Sequence, residues 1–351
     1  MERRPVAAEL AERLIRRRHL EVDEAERLIE DRDAQVTARL TQEALRIRRE
    51  IYGNAVFIRG LIEVSNICRN DCLYCGIRRS NAACQRYRLS SDQIAACAEE
   101  GYTLGFRTFV LQGGEDPAFT DEVLTQIVRR LKQAHPDCAV TLSMGERSRE
   151  SYEALYRAGA DRYLLRHETA DPAHYARLHP PEMSFQHRMR CLEQLKEIGF
   201  QTGCGMMVGS PGQTAAHLAE DLAFIQRFRP EMCGIGPFIP HRDTPFACEP
   251  AGTAELTCFL LSVIRILHPR VLLPATTALG TIAPGGREKG ILSGANVVMP
   301  NLSPEGVREK YTLYNNKLAT GVESAQQVRA LDNAMKAIGF RICVDRGDFK
   351  R

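Results

Sequence analysis

AVFIRGLIEV, Ala55 to Val64, runs straight into SNICRNDCLYCGIRR, Ser65 to Arg79. The first segment is dense in β-branched and aromatic residues, which suit a buried pleated strand. The second breaks that texture with Asn, Asp and three cysteines, Cys68, Cys72 and Cys75, spaced C-x3-C-x2-C. Seven segments downstream repeat the strand texture: RTFVLQG, AVTLSMG, DRYLLRH, QTGCGMMVG, MCGIGPF, RVLLPAT and ANVVMP. Amphipathic stretches such as TDEVLTQIVRRLKQA and SFQHRMRCLEQLKEIG lie between them. Ser91, Thr120, Ser148, Ser184 and Thr253 stand where helix N-caps belong. Eight strands alternating with helices predict an α/β fold, a complete (β/α)8 TIM-type barrel. The rival is an open doubly wound sheet. It wants a G-x-G-x-x-G loop, which the glycine-rich loops of this chain do not form.

Residues 1–50 are rich in Glu, Arg, Leu and Ala and predict a helical N-terminal extension. Residues 51–351 then form the barrel and a C-terminal helical segment, with a last helix near Ala325 to Ile338. Hydrophobic residues make up 44% and charged residues 26%, the balance of a soluble globular protein. The net charge of +3 gives no global case for nucleic-acid binding and leaves room for a local basic pocket. No run of 18 apolar residues reads as a membrane span. The first residues, MERRPVAAELAERLIRRRHL, lack the apolar core of a secretory signal. The expectation is a cytoplasmic protein with reduced cysteines.

Barrel enzymes carry their chemistry just past the C-terminal ends of the strands. Those places hold the cysteine loop, GGEDP, GER, RHETA, GSPGQT, PFIPHRDTP, TTALGT and NLSP. Three thiolates can hold three irons of a cubane 4Fe-4S cluster and leave the fourth iron open to a ligand. A structural zinc site would add a fourth ligand and paired C-x2-C knuckles. Redox chemistry on Cys72 and Cys75 would leave Cys68 idle. The remaining cysteines stand singly, several in apolar surroundings, and read as small buried hydrophobes.

The C-x3-C-x2-C loop after a first barrel strand resembles that of the radical S-adenosylmethionine (SAM) enzymes. The resemblance implies that Cys68, Cys72 and Cys75 ligate one 4Fe-4S cluster whose open iron is chelated by SAM. Reduction of the cluster then cleaves the sulfonium to methionine and a 5′-deoxyadenosyl radical. Tyr74 matches the aromatic beside the adenine, and Gly113, Gly114 and Glu115 of GGED match the motif that holds the methionine amino group. GMMVGSPGQT resembles the strand-five segment that borders the adenine. Taken alone, GGED reads equally well as a turn.

Further along, DRYLLRHETA, GIGPFIPHRDTP, PATTALGT and GANVVMPNLSP together resemble the HydE family of FeFe-hydrogenase maturases, from about Ile51 to Tyr314. That resemblance implies a sealed cavity with SAM at its top and anion sites deeper. It places Arg166, Glu168 and Arg188 at the SAM site, and Arg162, Thr276, Thr277, Tyr311 and Tyr314 on the cavity. Guanidinium forks suit carboxylates, and hydroxyls suit small anions. Plainer readings stay open: structural ion pairs for Arg162 or Arg166, loop roles for the threonines, rim packing for the tyrosines. His167 is read as packing or local hydrogen bonding only.

The implied substrate is a small organometallic molecule, a cysteine-bound iron precursor carrying CO and cyanide, on the way to a diiron cofactor. The implied partners are a ferredoxin- or flavodoxin-type reductant and other hydrogenase maturases. Some HydE proteins carry a second iron–sulfur site on three C-terminal cysteines. Ala319, Gln327 and Ala330 stand at those places, so a single cluster is expected. The alternative is a synthase or mutase of the methylornithine synthase or biotin synthase group, acting on an amino-acid-derived substrate. A non-catalytic iron–sulfur carrier would leave Glu115, Arg166, Glu168 and Arg188 without a role.

Overall fold

Side chains alternate across each strand, and the sequence puts apolar residues on one side of the wall and isolated polar ones on the other. Ile62 and Val64 join the main hydrophobic core, whereas Glu63 between them bonds Asn301. The computed structural model describes residues 6–318 and 324–350. Its strands are β1 (Ala55–Ile58), β2 (Gly60–Ser65), β3 (Thr108–Gly113), β4 (Ala139–Ser143), β5 (Arg162–Leu164), β6 (Gln201–Cys204), β7 (Met207–Val208), β8 (Met232–Cys233), β9 (Gly236–Pro237), β10 (Val297–Val298) and β11 (Arg341–Cys343).

Strands β2, β3, β4, β5, β6 and β8 form one sheet in that order. Parallel bridges continue the pairing from Met232 to Leu272 and from Pro274 to Val297, and β10 pairs parallel with β1. The succession passes through all eight expected strand segments and returns to the first. Four segments differ from expectation in detail: QTGCGMMVG breaks into β6 and β7 and MCGIGPF into β8 and β9, with β7 and β9 paired as a separate two-stranded sheet. Ala55–Val64 is two strands that part at Arg59. The seventh segment is held only by bridges at Leu272 and Pro274, because a proline has no N–H to give to a ladder.

The intervening helices start as their caps dictate, with one correction. Ser90, not Ser91, caps the helix Ser91–Thr103: its side chain accepts from the Gln93 N–H, and Gln93 reaches back in a capping box. Thr120, Ser148, Ser184 and Thr253 cap as expected. At the N-terminal end lie three helices, Ala7–Arg17, Val22–Glu30 and Ala34–Tyr52. Leu10, Leu14, Leu40 and Ile47 share one hydrophobic cluster with Leu260, Leu261 and Ile264 of the barrel helix Ala254–Leu267. Among the described residues no helix is long and apolar enough to cross a membrane.

The C-terminal segment holds an element the sequence did not announce. After the helix Val328–Ala337, β11 pairs parallel with β1, and the tail beyond it meets the N-terminal ends of the barrel strands. Arg162 is the first residue of β5, at the opposite end of the strand from the expected catalytic rim. Its fully buried guanidinium donates to Asp348 Oδ1 at 2.6 Å, the Arg346 carbonyl at 2.8 Å and Thr108 Oγ1 at 3.0 Å. The expectation that Arg162 lines the ligand cavity is corrected on this ground: its N–H groups are taken by the tail.

Arg162, Arg346 and Gln201 hold the Asp348 carboxyl well below the usual carboxylate range, against the opposing effect of burial. A depressed pKa adds stability above the unfolded-state value near 4, and the gain is lost as pH falls through the folded value. Asp348→Asn is therefore expected to lower the melting temperature at pH 7 and to lower it by a smaller amount at pH 3, where part of the gain is already lost. Thermal scans at the two pH values check this.

Candidate active site

Strand β2 delivers the cysteine loop and polar contacts fix its two ends. Ser65 Oγ donates to Asp116 Oδ2 at 2.7 Å, and Asn66 Nδ2 donates to the Lys310 and Gln85 carbonyls at 2.7 and 2.9 Å. Arg86 gathers the loop by donating to the carbonyls of Asn66, Ile77, Arg78 and Asn81. Burial pushes all three thiols up, Cys75 to about 12, and Cys72 is raised further by Cys75 and Cys68. Cys68 bears on both Cys72 and Cys75, and Cys75 on Cys72, in a place that disfavours bare thiolates and suits a cationic ligand. Among the described residues no three His, Cys, Asp or Glu side chains close on one point as a single metal ion needs. A cubane does not require that, since each thiolate binds its own iron.

GGED backs directly onto this loop. A Cβ at Gly114 would stand 2.3 Å from the Ile67 carbonyl oxygen and 2.8 Å from Cys68 Cβ, so only glycine allows the approach. The Glu115 N–H points at Cys68 Sγ, 3.4 Å away. The Glu115 carboxylate accepts from the Glu146 N–H and from Arg69 Nε, both at 2.9 Å. Gly113 ends β3 beside the Ser65 carbonyl. An outer cleft of about 610 Å³ reaches this edge of the site from solvent.

On the other side of the loop, the Tyr74 hydroxyl meets His179 Nε2 at 3.2 Å. His179 Nδ1 lies 2.9 Å from the Tyr175 carbonyl, which can only accept, so Nδ1 carries the proton and Nε2 accepts from Tyr74. Burial, with Arg188 nearby, pushes His179 down to about 3 and keeps it neutral. Arg188 donates to Glu146 Oε1 and to the Arg166 carbonyl. Burial opposes its charge, but the Glu146 carboxylate holds it protonated.

RHETA places Arg166 and Glu168 past the end of β5. Glu168 has φ of 67°, unusual for a residue other than glycine, and its N–H donates to the Gly205 carbonyl at 3.0 Å. Arg166 Nη2 stands 3.1 Å from Glu168 Oε2 without the alignment of a hydrogen bond. Arg166 Nε and Nη2, Glu168 Oε2 and Thr276 Oγ1 are all buried without a hydrogen-bond partner among the described residues. Thr276 caps the short helix Thr277–Ile282, which Thr277 begins. Tyr311 lies beside Gln112 and within electrostatic reach of Cys75. Tyr314 lies beside Thr281 and within reach of Arg166. Thus Tyr74, Glu115, Arg166, Glu168, Arg188, Tyr311 and Tyr314 gather about the cysteine loop, and Arg162 does not. His167 bonds Asp221 Oδ1 at 3.1 Å and the Gly205 N–H, a local role.

A residue at the base of the barrel escaped the sequence reading. Arg59, between β1 and β2, lines a cavity of about 20 Å³ with Val110, Thr141, Leu164, Met232 and Pro274. Its Nη1 lies 2.9 Å from Met232 Sδ, while its Nε and Nη2 and Thr141 Oγ1 have no partner among the described residues. Burial, with Arg162 adding repulsion, pushes the Arg59 guanidinium far below its ordinary value. The signal was present: a charge inside a strand run that is otherwise apolar except for Glu63.

A model of the Radical SAM superfamily matches residues 62–225. The [FeFe] hydrogenase maturase subunit HydE of Thermotoga maritima is 46% identical over 305 residues, 87% of each chain. The chain belongs to the radical SAM superfamily and, within it, to the HydE family. It is a radical SAM enzyme. A 3-methylornithine synthase of Methanosarcina acetivorans is 25% identical over 94% of this chain and 92% of its own. The crystal structure of methylornithine synthase (PylB) superposes with a TM-score of 0.83, covering 95% of this chain and 97% of that one at 22% identity. At that identity the likeness speaks for the shared fold.

Radical SAM enzymes work with a 4Fe-4S cluster and SAM, and the residues present fit both. The three clustered thiols suit the irons. The unpartnered donors of Arg166 and acceptor of Glu168 suit the carboxylate and hydroxyl groups of a nucleoside–amino acid ligand.

Proposed function

We propose that Cys68, Cys72 and Cys75 hold one 4Fe-4S cluster at which SAM binds, and that the enzyme acts on a small cysteine-bound iron precursor carrying CO and cyanide, in assembly of the diiron hydrogenase cofactor. The observation that carries this reading is that Arg166 Nε and Thr276 Oγ1, beside the Arg166–Glu168 ion pair, are buried without a hydrogen-bond partner among the described residues. Each such atom costs about 1–3 kcal/mol if nothing meets it, so the set marks where the polar atoms of ligands go. The 46% identity to HydE supplies the class of substrate.

When bound, a reduced cluster supplies the electron that splits the SAM sulfonium and releases the 5′-deoxyadenosyl radical. The chain's own residues bind, orient and exclude. Arg166 presents two N–H groups and Glu168 an acceptor on the rim. Tyr74, oriented by His179, walls the adenine side. Arg188, held by Glu146, keeps a positive charge beside the cluster loop. Tyr311 and Tyr314 close the mouth, keeping water from a carbon radical that would react with almost anything near it. Arg59 and Thr141 offer donors to a small anionic group at the floor. A ferredoxin- or flavodoxin-type reductant and the other maturases complete the set of partners. The 25% identity to methylornithine synthase leaves an amino-acid-derived substrate as the second reading.

Anaerobic reconstitution, dithionite reduction and chromatography test the reading. Formation of 5′-deoxyadenosine is expected; none from protein with an intact cluster would overturn it. Iron content is expected at about four per chain, one cubane. About six would reveal a second, two-iron site. Gln327 and Ala330 lie in the 3₁₀ turn Ala325–Gln327 and the helix that follows, and Ala319 lies outside the described residues. None of the three can offer a thiolate.

A further inference from the structure

Residues 309–318 carry both cavity tyrosines on backbone without helix or strand. A charged pair removed from water ties this strap to the barrel. The Lys317 ammonium, on a side chain 7% exposed, meets the carboxylate of Glu63, which is wholly buried on β2. Glu63 Oε2 also accepts from Asn301 Nδ2 at 2.8 Å. The same ammonium donates to the Tyr311 carbonyl at 2.9 Å and lies 4.9 Å from the centre of the Tyr311 ring. One cation thus joins the barrel wall, the strap backbone and the strap aromatic.

The strap also leans on the cysteine loop. The N–H of Gly76, next after Cys75, donates to the Leu313 carbonyl at 2.9 Å. A Cβ at position 76 would stand 2.1 Å from the Thr312 carbonyl oxygen, so a larger residue would lift the strap off the loop. Two residues before Cys68, Asn66 donates to the Lys310 carbonyl.

Desolvation offsets much of the attraction in a buried ion pair, which makes it a weak source of net stability. It is a strong selector of one arrangement, because any other seat leaves both charges unpaired away from water. We propose that Lys317 is a positioning residue: locked to Glu63, it seats the strap so that Tyr311 faces the cavity and substrate is held in reach of the radical. The inference rests on the reaction proposed above, and its test separates the two.

Wild type is compared with Lys317→Met and with the double variant Lys317→Met/Glu63→Gln, which removes the pair without stranding a carboxylate. In cluster-free protein, amide hydrogen exchange across residues 310–318 is expected to quicken at least about tenfold in the double variant. Exchange in β3 and β4 should stay as in wild type. In reconstituted protein, SAM affinity is expected to hold within about twofold, since no SAM-site residue changes. Turnover of a synthetic cysteine-bound iron complex carrying CO and cyanide, per 5′-deoxyadenosine formed, is expected to fall about tenfold or more, the scale of a small misplacement. Unchanged exchange, or wild-type turnover per SAM cleaved in the double variant, overturns the proposal. If wild type itself forms no 5′-deoxyadenosine, the reaction assignment fails and the exchange result alone judges the strap.

Discussion

Cys72→Ala is expected to reduce 5′-deoxyadenosine formation at least about 10³-fold, the scale on which losing one member of a catalytic unit is felt. Cys72 is the middle thiol of the three, and Cys68 and Cys75 alone can anchor only two irons of a cubane. No spare sulfur is placed to help. Cys72 Sγ has the Met183 thioether 3.7 Å away, a weak and neutral ligand. Cys84, the nearest other thiol along the chain, lies against the Asn66 amide at 3.5 Å. Iron content and the cluster's visible absorbance should fall with the product, while the thermal melt of cluster-free protein moves little, because one sulfur lost to a cavity costs about 1 kcal/mol. Cys84→Ala, treated in the same way, should keep its cluster and its product. Undiminished 5′-deoxyadenosine from the Cys72 variant would remove this loop from the chemistry.

That result was legible because three cysteines at short spacing, placed after a strand, restrict the chemistry before any coordinates are known. The rim loops were legible for a related reason: GGED and RHETA interrupt apolar runs where a barrel puts its active residues. Depth along a strand was not legible. Arg162 and Arg166 stand four residues apart in DRYLLRH and look alike in sequence. Register puts one at the closed end, bonded to the tail, and the other at the open end with unpartnered N–H groups. The tail was unreadable because its partners are remote: β11 gains its place only by pairing with β1, almost the whole chain away. Lys317 and Glu63 were missed likewise, since each looks ordinary until the fold buries both.

Arg59→Met is expected to change stability and binding in opposite directions. The Arg59 guanidinium is enclosed, with two nitrogens that have no hydrogen-bond partner and a thioether as the partner of the third among the described residues. Arg162 repels it, and Asp348, the carboxylate that attracts it, is already bonded to Arg162 and Arg346. Replacing a buried, poorly matched charge by an apolar side chain of similar length stabilises by about 1–4 kcal/mol, so the ligand-free variant should melt several degrees higher than wild type. A small anion that meets the free N–H groups stabilises wild type in proportion to RT ln(1 + [L]/Kd). Millimolar azide should therefore raise the wild-type melting temperature and leave the variant's unmoved, and the variant should convert the iron precursor poorly while still cleaving SAM. A variant that melts lower than wild type would show Arg59 to be a structural cross-link. An equal response of both proteins to azide would place the anion elsewhere. The opposed signs are what separate a donor kept for a ligand from one kept for the fold, because a group kept for a ligand costs stability until the ligand meets it.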